Sequence, residues 1–446
     1  MSSLVPAFII EKKRDGIELN AEEIKSFIQG ITSGAIPDYQ ATAFLMAVYF
    51  KGMTLNETVA FTRAMLESGD RFDLSSVPGV KIDKHSTGGV GDKVSLILAP
   101  LAVACGLKVP MMAGRGLGHS GGTIDKLEAI PGFNTALSTD EFINVLKTVG
   151  TAIIGQTTRI APADKKLYAL RDVTATVPCV PLIVGSILSK KLAEGTEGLI
   201  LDVKVGNGAF MQNKGQARIL AKTLVQVAKK LGLNCRAVLS QMDQPLGCAV
   251  GNTLEVLESI AILKNEWPFD NACTDLRELT IHLCAQMLEM GRIVKKHADG
   301  RKLAIQKLQD GSAWNVFKEM IAAQGGDVRT IEDPSLLPLS KNIVEWKATK
   351  KGYIKSIDTK GIGELLIEMG GGRKVAGEKI NFGTGMIFYK KVGSPVAPKD
   401  VMVKAYLPEG ISSAEADAFH KRFMQSLQFS ATRHGAPKLI LDAGVK

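Results

Sequence analysis

Apolar positions in the first 70 residues fall at helical spacing. Ile24, Phe27, Ile28 and Ile31 recur at the interval of a single helix face, and Asn20 with Glu23 ahead of them has the form in which side chain and backbone at a helix start cap one another. After Gly34 and Pro37, Asp38 is placed to cap a run from Tyr39 to Phe50 that is apolar nearly all round, which predicts a helix buried between others. Thr54 with Glu57 repeats the capping signal, and Gly69 is placed to stop the helix they begin.

The pattern changes at Pro78-Gly79. Short β-like runs now alternate with helical ones: Val80 to Asp83, Val109 to Ala113, Thr151 to Gly155 and Leu199 to Val205. Such alternation predicts a parallel or mixed sheet with its ligands at the carboxyl ends of the strands. Two helical runs, 163–172 and 186–194, lie between the third and fourth strands and are placed to rejoin the N-terminal helices. A chain that crosses twice between two units leaves a cleft at their boundary. From about residue 345 short strands with glycine turns take over. The expected fold is therefore α/β: a small all-helical domain (1–70 and 161–195), a large α/β domain (71–160 and 196–344) and a C-terminal α+β subdomain (345–446). A chain of 446 residues also exceeds what one hydrophobic core usually supports.

Composition narrows the class. With 45% hydrophobic and 22% charged residues the chain reads as globular. The net charge of +10 invites a nucleic-acid reading, but the lysines and arginines are dispersed with few aromatics among them, so a basic cleft for small anions is preferred. The six cysteines are scattered without a CxxC pair and read as buried free thiols. The apolar run 4–10 contains Pro6, and 95–107 contains Pro100; neither reads as a signal peptide or membrane span, and a cytoplasmic location is expected.

Two glycine loops carry the chemistry. Lys84-His-Ser-Thr-Gly-Gly-Val-Gly-Asp-Lys93 follows a strand and precedes a helical run from Val94, with Asp92 placed as its N-cap. Free backbone N–H groups at a helix start, with glycines that admit close approach, make an anion seat, to which Lys84 adds charge and Ser86 and Ser95 add hydroxyls. It is not a Walker A loop, since Asp92 stands where glycine is required. The second loop, Gly114-Arg-Gly-Leu-Gly-His-Ser-Gly-Gly-Thr123, formally matches GxGxxG, but Pro131 ends the following helix too early for a dinucleotide unit. One phosphate held from two sides fits both loops. His85, beside Lys84 at a strand end, is the catalytic candidate; His119, between glycines, is read as fixing its loop. Ser186 and Lys190 lie four residues apart on one helix face, and Arg171 closes the preceding helix. Either these are solvated helix charges, the usual fate of such residues, or they confront the anion loops across the cleft.

At these residues the chain resembles the thymidine and pyrimidine nucleoside phosphorylases over nearly its whole length. The resemblance is carried by 84–92, by Ala113-Gly-Arg-Gly-Leu-Gly-His-Ser-Gly-Gly-Thr-Ile-Asp-Lys-Leu-Glu128 and by Asp202-Val-Lys-Val-Gly-Asn-Gly-Ala-Phe210. It implies a homodimer whose subunits close a helical domain onto an α/β domain, with thymidine and phosphate as substrates. It further implies phosphate ligands at Lys84, Ser86, Ser95 and Thr123, pyrimidine ligands at Tyr168, Arg171, Ser186 and Lys190, and His85 near the base carbonyl O2. Leu117, Ile183 and Phe210 correspond to apolar walls. Inorganic phosphate is a co-substrate and no cofactor is expected.

Four positions depart from relatives. Ala113 stands where the family usually has a phosphate-contacting serine, and the common threonine before the glycine pair is Ser120. Losing one neutral donor at Ala113 implies about 0.5–1.5 kcal/mol weaker phosphate binding with activity retained. Met111 replaces a lysine found in branches that accept uridine, which implies a preference for 2′-deoxyribosides. Some relatives hold a metal cation at positions corresponding to Gly91, Leu246, Ala249 and Glu258; Lys93, where they carry threonine, implies an ammonium in place of the ion and no metal.

The implied activity is reversible phosphorolysis of thymidine to thymine and 2-deoxy-α-D-ribose 1-phosphate. One rival is a broad-specificity pyrimidine nucleoside phosphorylase that accepts uridine. Another is an anthranilate-type phosphoribosyltransferase, which would need magnesium and phosphoribosyl pyrophosphate. A third, of another class, is a non-catalytic basic protein that binds polyanions in a salt-sensitive way.

Overall fold

The structure is a computed structural model describing residues 5–116, 118–266, 274–375 and 377–445. Helices Pro6–Arg14, Ala21–Ser33, Asp38–Lys51 and Leu55–Leu66 pack with Pro162–Val173 and the start of Val180–Ala193 around Phe27, Phe44, Phe61, Leu167 and Leu182. Both capping boxes form: Asn20 with Glu23, and Thr54 with Glu57.

Three local expectations are corrected here. Pro37, not Asp38, is the N-cap of Asp38–Lys51; its fixed φ suits the extended backbone that precedes a helix, and Asp38 becomes the first-turn acid. That helix is not buried all round, since Tyr39 and Phe50 are 75% and 73% exposed while Ala41, Phe44, Leu45 and Val48 face the core. The next helix ends at Leu66, ahead of Gly69. Gly69 is needed instead for close approach, as a Cβ there would lie 2.2 Å from the Arg159 carbonyl oxygen where the chain re-enters the helical unit.

Five parallel strands follow: β1 (Ile82–Ser86), β2 (Val109–Ala113), β3 (Thr151–Gly155), β4 (Gly198–Val205) and β5 (Asn234–Gln241). β1, β4 and β5 form one sheet, β2 and β3 pair separately, and a bridge between Lys81 and Lys108 joins the two groups. β1 starts two residues later than its apolar run and extends to Ser86, which places Lys84 and His85 on the strand itself. β4 is buried throughout, as a central strand covered on both faces must be.

The C-terminal unit joins strands Ile343–Lys347, Gly352–Ile357, Gly385–Phe388, Pro395–Val396, Val401–Tyr406 and Leu427–Ser430 with helices Thr359–Glu368 and Ser413–Gln425. It does not hold the whole of 345–446. The last strand, Ile440–Val445, pairs antiparallel with β5 and makes the central sheet mixed, while Ala249–Val250 pairs with Gly385–Phe388. Cys105, Cys179, Cys235 and Cys284 are free and buried, whereas Cys248 is disulfide-bonded, which departs from the reading of free thiols throughout.

Helix Val180–Ala193 carries site residues and touches the helical core at Gly185, where a Cβ would lie 2.5 Å from Met65 Cε and 2.7 Å from the Phe61 ring. Gly185→Ala should therefore lower stability by about 1–3 kcal/mol in urea unfolding. An unchanged midpoint would mean that the Phe61 ring gives way freely.

Candidate active site

The carboxyl ends of β1, β2 and β3 face helices Pro162–Val173 and Val180–Ala193 across a cavity of about 720 Å³. Of the residues singled out from the sequence, His85, Ser86, Tyr168, Arg171, Ile183, Ser186, Lys190 and Phe210 line it. Lys84 and Ser95 lie buried behind the sheet-side wall at 2% and 8% exposure. Thr123 opens the short helix Thr123–Leu127 at the end of the second loop. Leu117 lies outside the described residues. Met111 is not on the wall. Side chains alternate along β2, so Met111 packs into the core at 1% exposure and its neighbour Met112 faces the cavity.

On the sheet side the Lys84 ammonium hydrogen-bonds, among the described residues, only to Ser95 Oγ, at 3.5 Å. Burial lowers its pKa, and the more distant Asp92 and Asp202 only partly oppose that effect. The first loop is tied down by Ser86, whose hydroxyl donates to Asp92 Oδ2 at 2.5 Å and accepts from the Gly88 N–H at 3.1 Å. Asp92 is not the N-cap. That position falls on Lys93, and Asp92 is drawn inward, where burial would raise its pKa but Lys204, Lys84 and the Ser86 hydroxyl hold it well below the usual range.

On the helix side two cations meet. Arg171 donates to the Leu182 carbonyl at 3.1 Å and to the Val177 carbonyl at 2.7 Å, leaving its buried Nε–H without a partner among the described residues. Lys190 donates to Ser186 Oγ at 2.9 Å and pairs with Asp164. Both cations lie over the Tyr168 ring, 5.4 Å and 6.0 Å from its centre, and burial pushes the Tyr168 hydroxyl up to about 12. These are not solvated helix charges. Asp164 was missed in the sequence, although its spacing of four and seven residues from Tyr168 and Arg171 sets all three on one helix face. Lys191, also missed, is fully engaged with Asp83, Glu194 and the Met112 carbonyl.

Two further contacts shape the site. His119 Nε2 lies 3.1 Å from the Gly208 carbonyl oxygen, linking the second loop to the loop that carries Phe210. The Lys93 ammonium is fully buried and donates to the Leu246 carbonyl at 2.9 Å, the Ala249 carbonyl at 2.8 Å and Glu258 Oε2 at 2.6 Å. A cation of the chain's own already occupies this oxygen set, so the set does not fit a metal ion as well.

Comparison with known proteins agrees with the fold. Residues 8–69 match the helical bundle domain of a glycosyl transferase family, and residues 79–314 match its a/b domain. Residues 353–423 match a pyrimidine nucleoside phosphorylase C-terminal domain. An anthranilate phosphoribosyltransferase from Thermus thermophilus shares the fold with a TM-score of 0.58 at 18% identity, covering 71% of this chain and 98% of its own. The class is thus a glycosyltransferase of the pentose-transferring kind. A pyrimidine-nucleoside phosphorylase of Geobacillus stearothermophilus is 44% identical across 97% of this chain and 98% of its own length, and one of Staphylococcus epidermidis is 47% identical across 87% and 88%. The chain belongs to the pyrimidine-nucleoside phosphorylase family.

His85 has its pKa well below the usual histidine value because it is desolvated and faces Lys191, Lys190 and Lys84. A base whose folded pKa is depressed is neutral at pH 7, and its stabilising contribution is lost only as the pH falls below about 6.5. Histidine NMR in phosphate-free buffer should show the His85 ring titrating well under 6.5, and a midpoint at or above 6.5 would overturn the assignment of a neutral ring.

Proposed function

We propose that the protein catalyses reversible phosphorolysis of thymidine, giving thymine and 2-deoxy-α-D-ribose 1-phosphate. One observation carries this reading: a desolvated ammonium without a carboxylate partner among the described residues, Lys84, lies on the sheet side of a cavity whose helix side presents Arg171, Ser186 and Lys190. Phosphate binds Lys84, Ser86, Ser95 and Thr123. Ala113, on the cavity wall, contributes no donor. The pyrimidine binds Tyr168, Arg171, Ser186 and Lys190, with Ile183 and Phe210 as apolar walls.

The chemistry follows from where charge develops. As the bond between C1′ and the base breaks, its electron pair flows into the pyrimidine, and Arg171 and Lys190 stabilise the resulting anion. The neutral His85 ring donates a hydrogen bond at O2. A phosphate oxygen attacks C1′ from the opposite face, and the phosphate's own charge stabilises the sugar cation. Holding the two substrates in line can supply roughly 7–11 kcal/mol of the barrier, so closure of the helical side onto the sheet matters.

Preference for 2′-deoxyribosides is supported by β2, whose cavity-facing side chain, Met112, has no donor for a buried 2′-hydroxyl. Homodimer formation is supported by exposed Phe8, Tyr39, Phe50 and Val173 on helices that pack against one another. No helix among the described residues is long and apolar enough to cross a membrane.

Incubation with thymidine should release thymine only when phosphate is present, uridine should react with a lower kcat/KM, and Lys190→Ala should lose most activity while staying folded. Base release in phosphate-free buffer would refute phosphorolysis, and equal kcat/KM for both nucleosides would refute the deoxyriboside preference. The engaged Lys93 makes a second expectation: exchanging potassium for choline at constant ionic strength should leave phosphate KM and kcat within about twofold. Strong activation by potassium would show that an ion is needed after all.

A further inference from the structure

The second glycine loop is closed by a carboxylate. Asp125, 2% exposed, accepts from the Gly116 N–H at 2.6 Å through Oδ2 and so pins the start of the loop to the helix that begins at Thr123. A negative charge two residues from a phosphate-binding threonine works against anion binding unless it is cancelled. Two guanidinium groups reach Asp125 Oδ1. Arg115 is 3.2 Å away, but its side chain is half exposed and already engages Glu128 at 2.5 Å and 2.7 Å. Arg373 is 2.8 Å away with a side chain only 17% exposed.

Arg373 comes from the C-terminal unit, at the end of the turn Gly370-Gly-Gly372, and that turn is seated firmly. Asn252 Nδ2 donates to the Gly371 carbonyl at 2.9 Å. At Gly363, on the helix just before the turn, a Cβ would lie 2.2 Å from the His119 carbonyl oxygen, so the C-terminal unit touches the second loop directly. A buried Arg–carboxylate pair held by such a contact fixes both charge and position.

We propose that Arg373 is a positioning residue for phosphate: it neutralises Asp125 and thereby lets the C-terminal unit hold the second loop in a form that accepts an anion. The inference rests on the phosphorolysis reading and deepens it. No residue of the C-terminal unit need touch substrate.

Steady-state kinetics of the full-length protein tests this, with phosphate and thymidine varied separately. Arg373→Ala should raise phosphate KM roughly tenfold while thymidine KM stays within about twofold, and Arg373→Lys should recover part of the loss because charge returns without the fork. In an Asp125→Asn background, where the amide oxygen still accepts from Gly116, Arg373→Ala should have much less effect, since no charge remains to cancel. An unchanged phosphate KM in Arg373→Ala, an equal rise in both KM values, or an effect undiminished beside Asp125→Asn would each overturn the proposal. Should Arg373→Ala fail to fold, calorimetric titration of Arg373→Lys with inorganic phosphate decides: weaker binding than in the unmodified protein supports the role, and equal binding removes it. If the unmodified protein released no thymine with phosphate, the reading beneath would fail instead, so the two failures are distinguishable.

Discussion

An ammonium group taken out of water must find an anion, and this molecule is organised around one that has not. Lys93, Lys126, Lys191 and Lys204 are all buried, and each pairs with a carboxylate: Glu258, Glu255, Asp83 and Asp202. Lys84 stands among them with a serine hydroxyl at 3.5 Å as its nearest partner. Lys13 and Lys391, also buried, pair with Glu57 and Asp275. A chain that compensates six such charges and leaves Lys84 to a weak contact gives that ammonium most to gain from a bound anion, the charge that phosphate would supply in the proposed reaction. The neighbouring pairs hold the seat in shape. Asp92 takes the Ser86 hydroxyl, and Lys126 donates to the Asp92 carbonyl at 2.7 Å, tying the second loop to the first.

The helix side obeys the same rule with a different balance. Arg171 and Lys190 carry two positive charges and Asp164 one negative, so the group keeps one net positive charge over the Tyr168 ring. In the proposed reaction that surplus would match one negative charge on a departing pyrimidine. A depressed pKa at His85 belongs to this arrangement, since a ring desolvated by burial and facing three lysines resists becoming a fourth cation.

The parts of this arrangement legible in the sequence were those set by local spacing. β2 and β3 begin and end where their apolar runs do, and Asn20 with Glu23 and Thr54 with Glu57 cap their helices because a capping box needs only four consecutive residues. What the sequence hid depends on distant partners. Asp92 looks like an N-cap until Ser86, Lys84 and Lys204 draw it inward. Met111 and Met112 are indistinguishable until the facing of β2 is known. Tyr39 and Phe50 read as buried because their helix is apolar all round, yet the chain supplies core on one side of it only. The closing strand at Ile440–Val445 returned to β5, a pairing between segments some 200 residues apart that no local pattern encodes.

The C-terminal unit shows why such distant contacts count for chemistry. Several of its contacts fall on the connections between strands and helices. Asn207 donates to the Ile357 carbonyl at 3.1 Å and accepts from the Thr359 N–H at 2.6 Å, and at Gly208 a Cβ would collide with Thr359 at 2.4 Å. Gly208 is also the residue whose carbonyl meets His119, so helix Thr359–Glu368 backs both loops of that hydrogen bond. Glycine-rich loops approach ligands closely because they lack side chains, and for the same reason they cannot hold their own shape. Rigidity has to come from outside the loop, and here contacts from the C-terminal unit supply it.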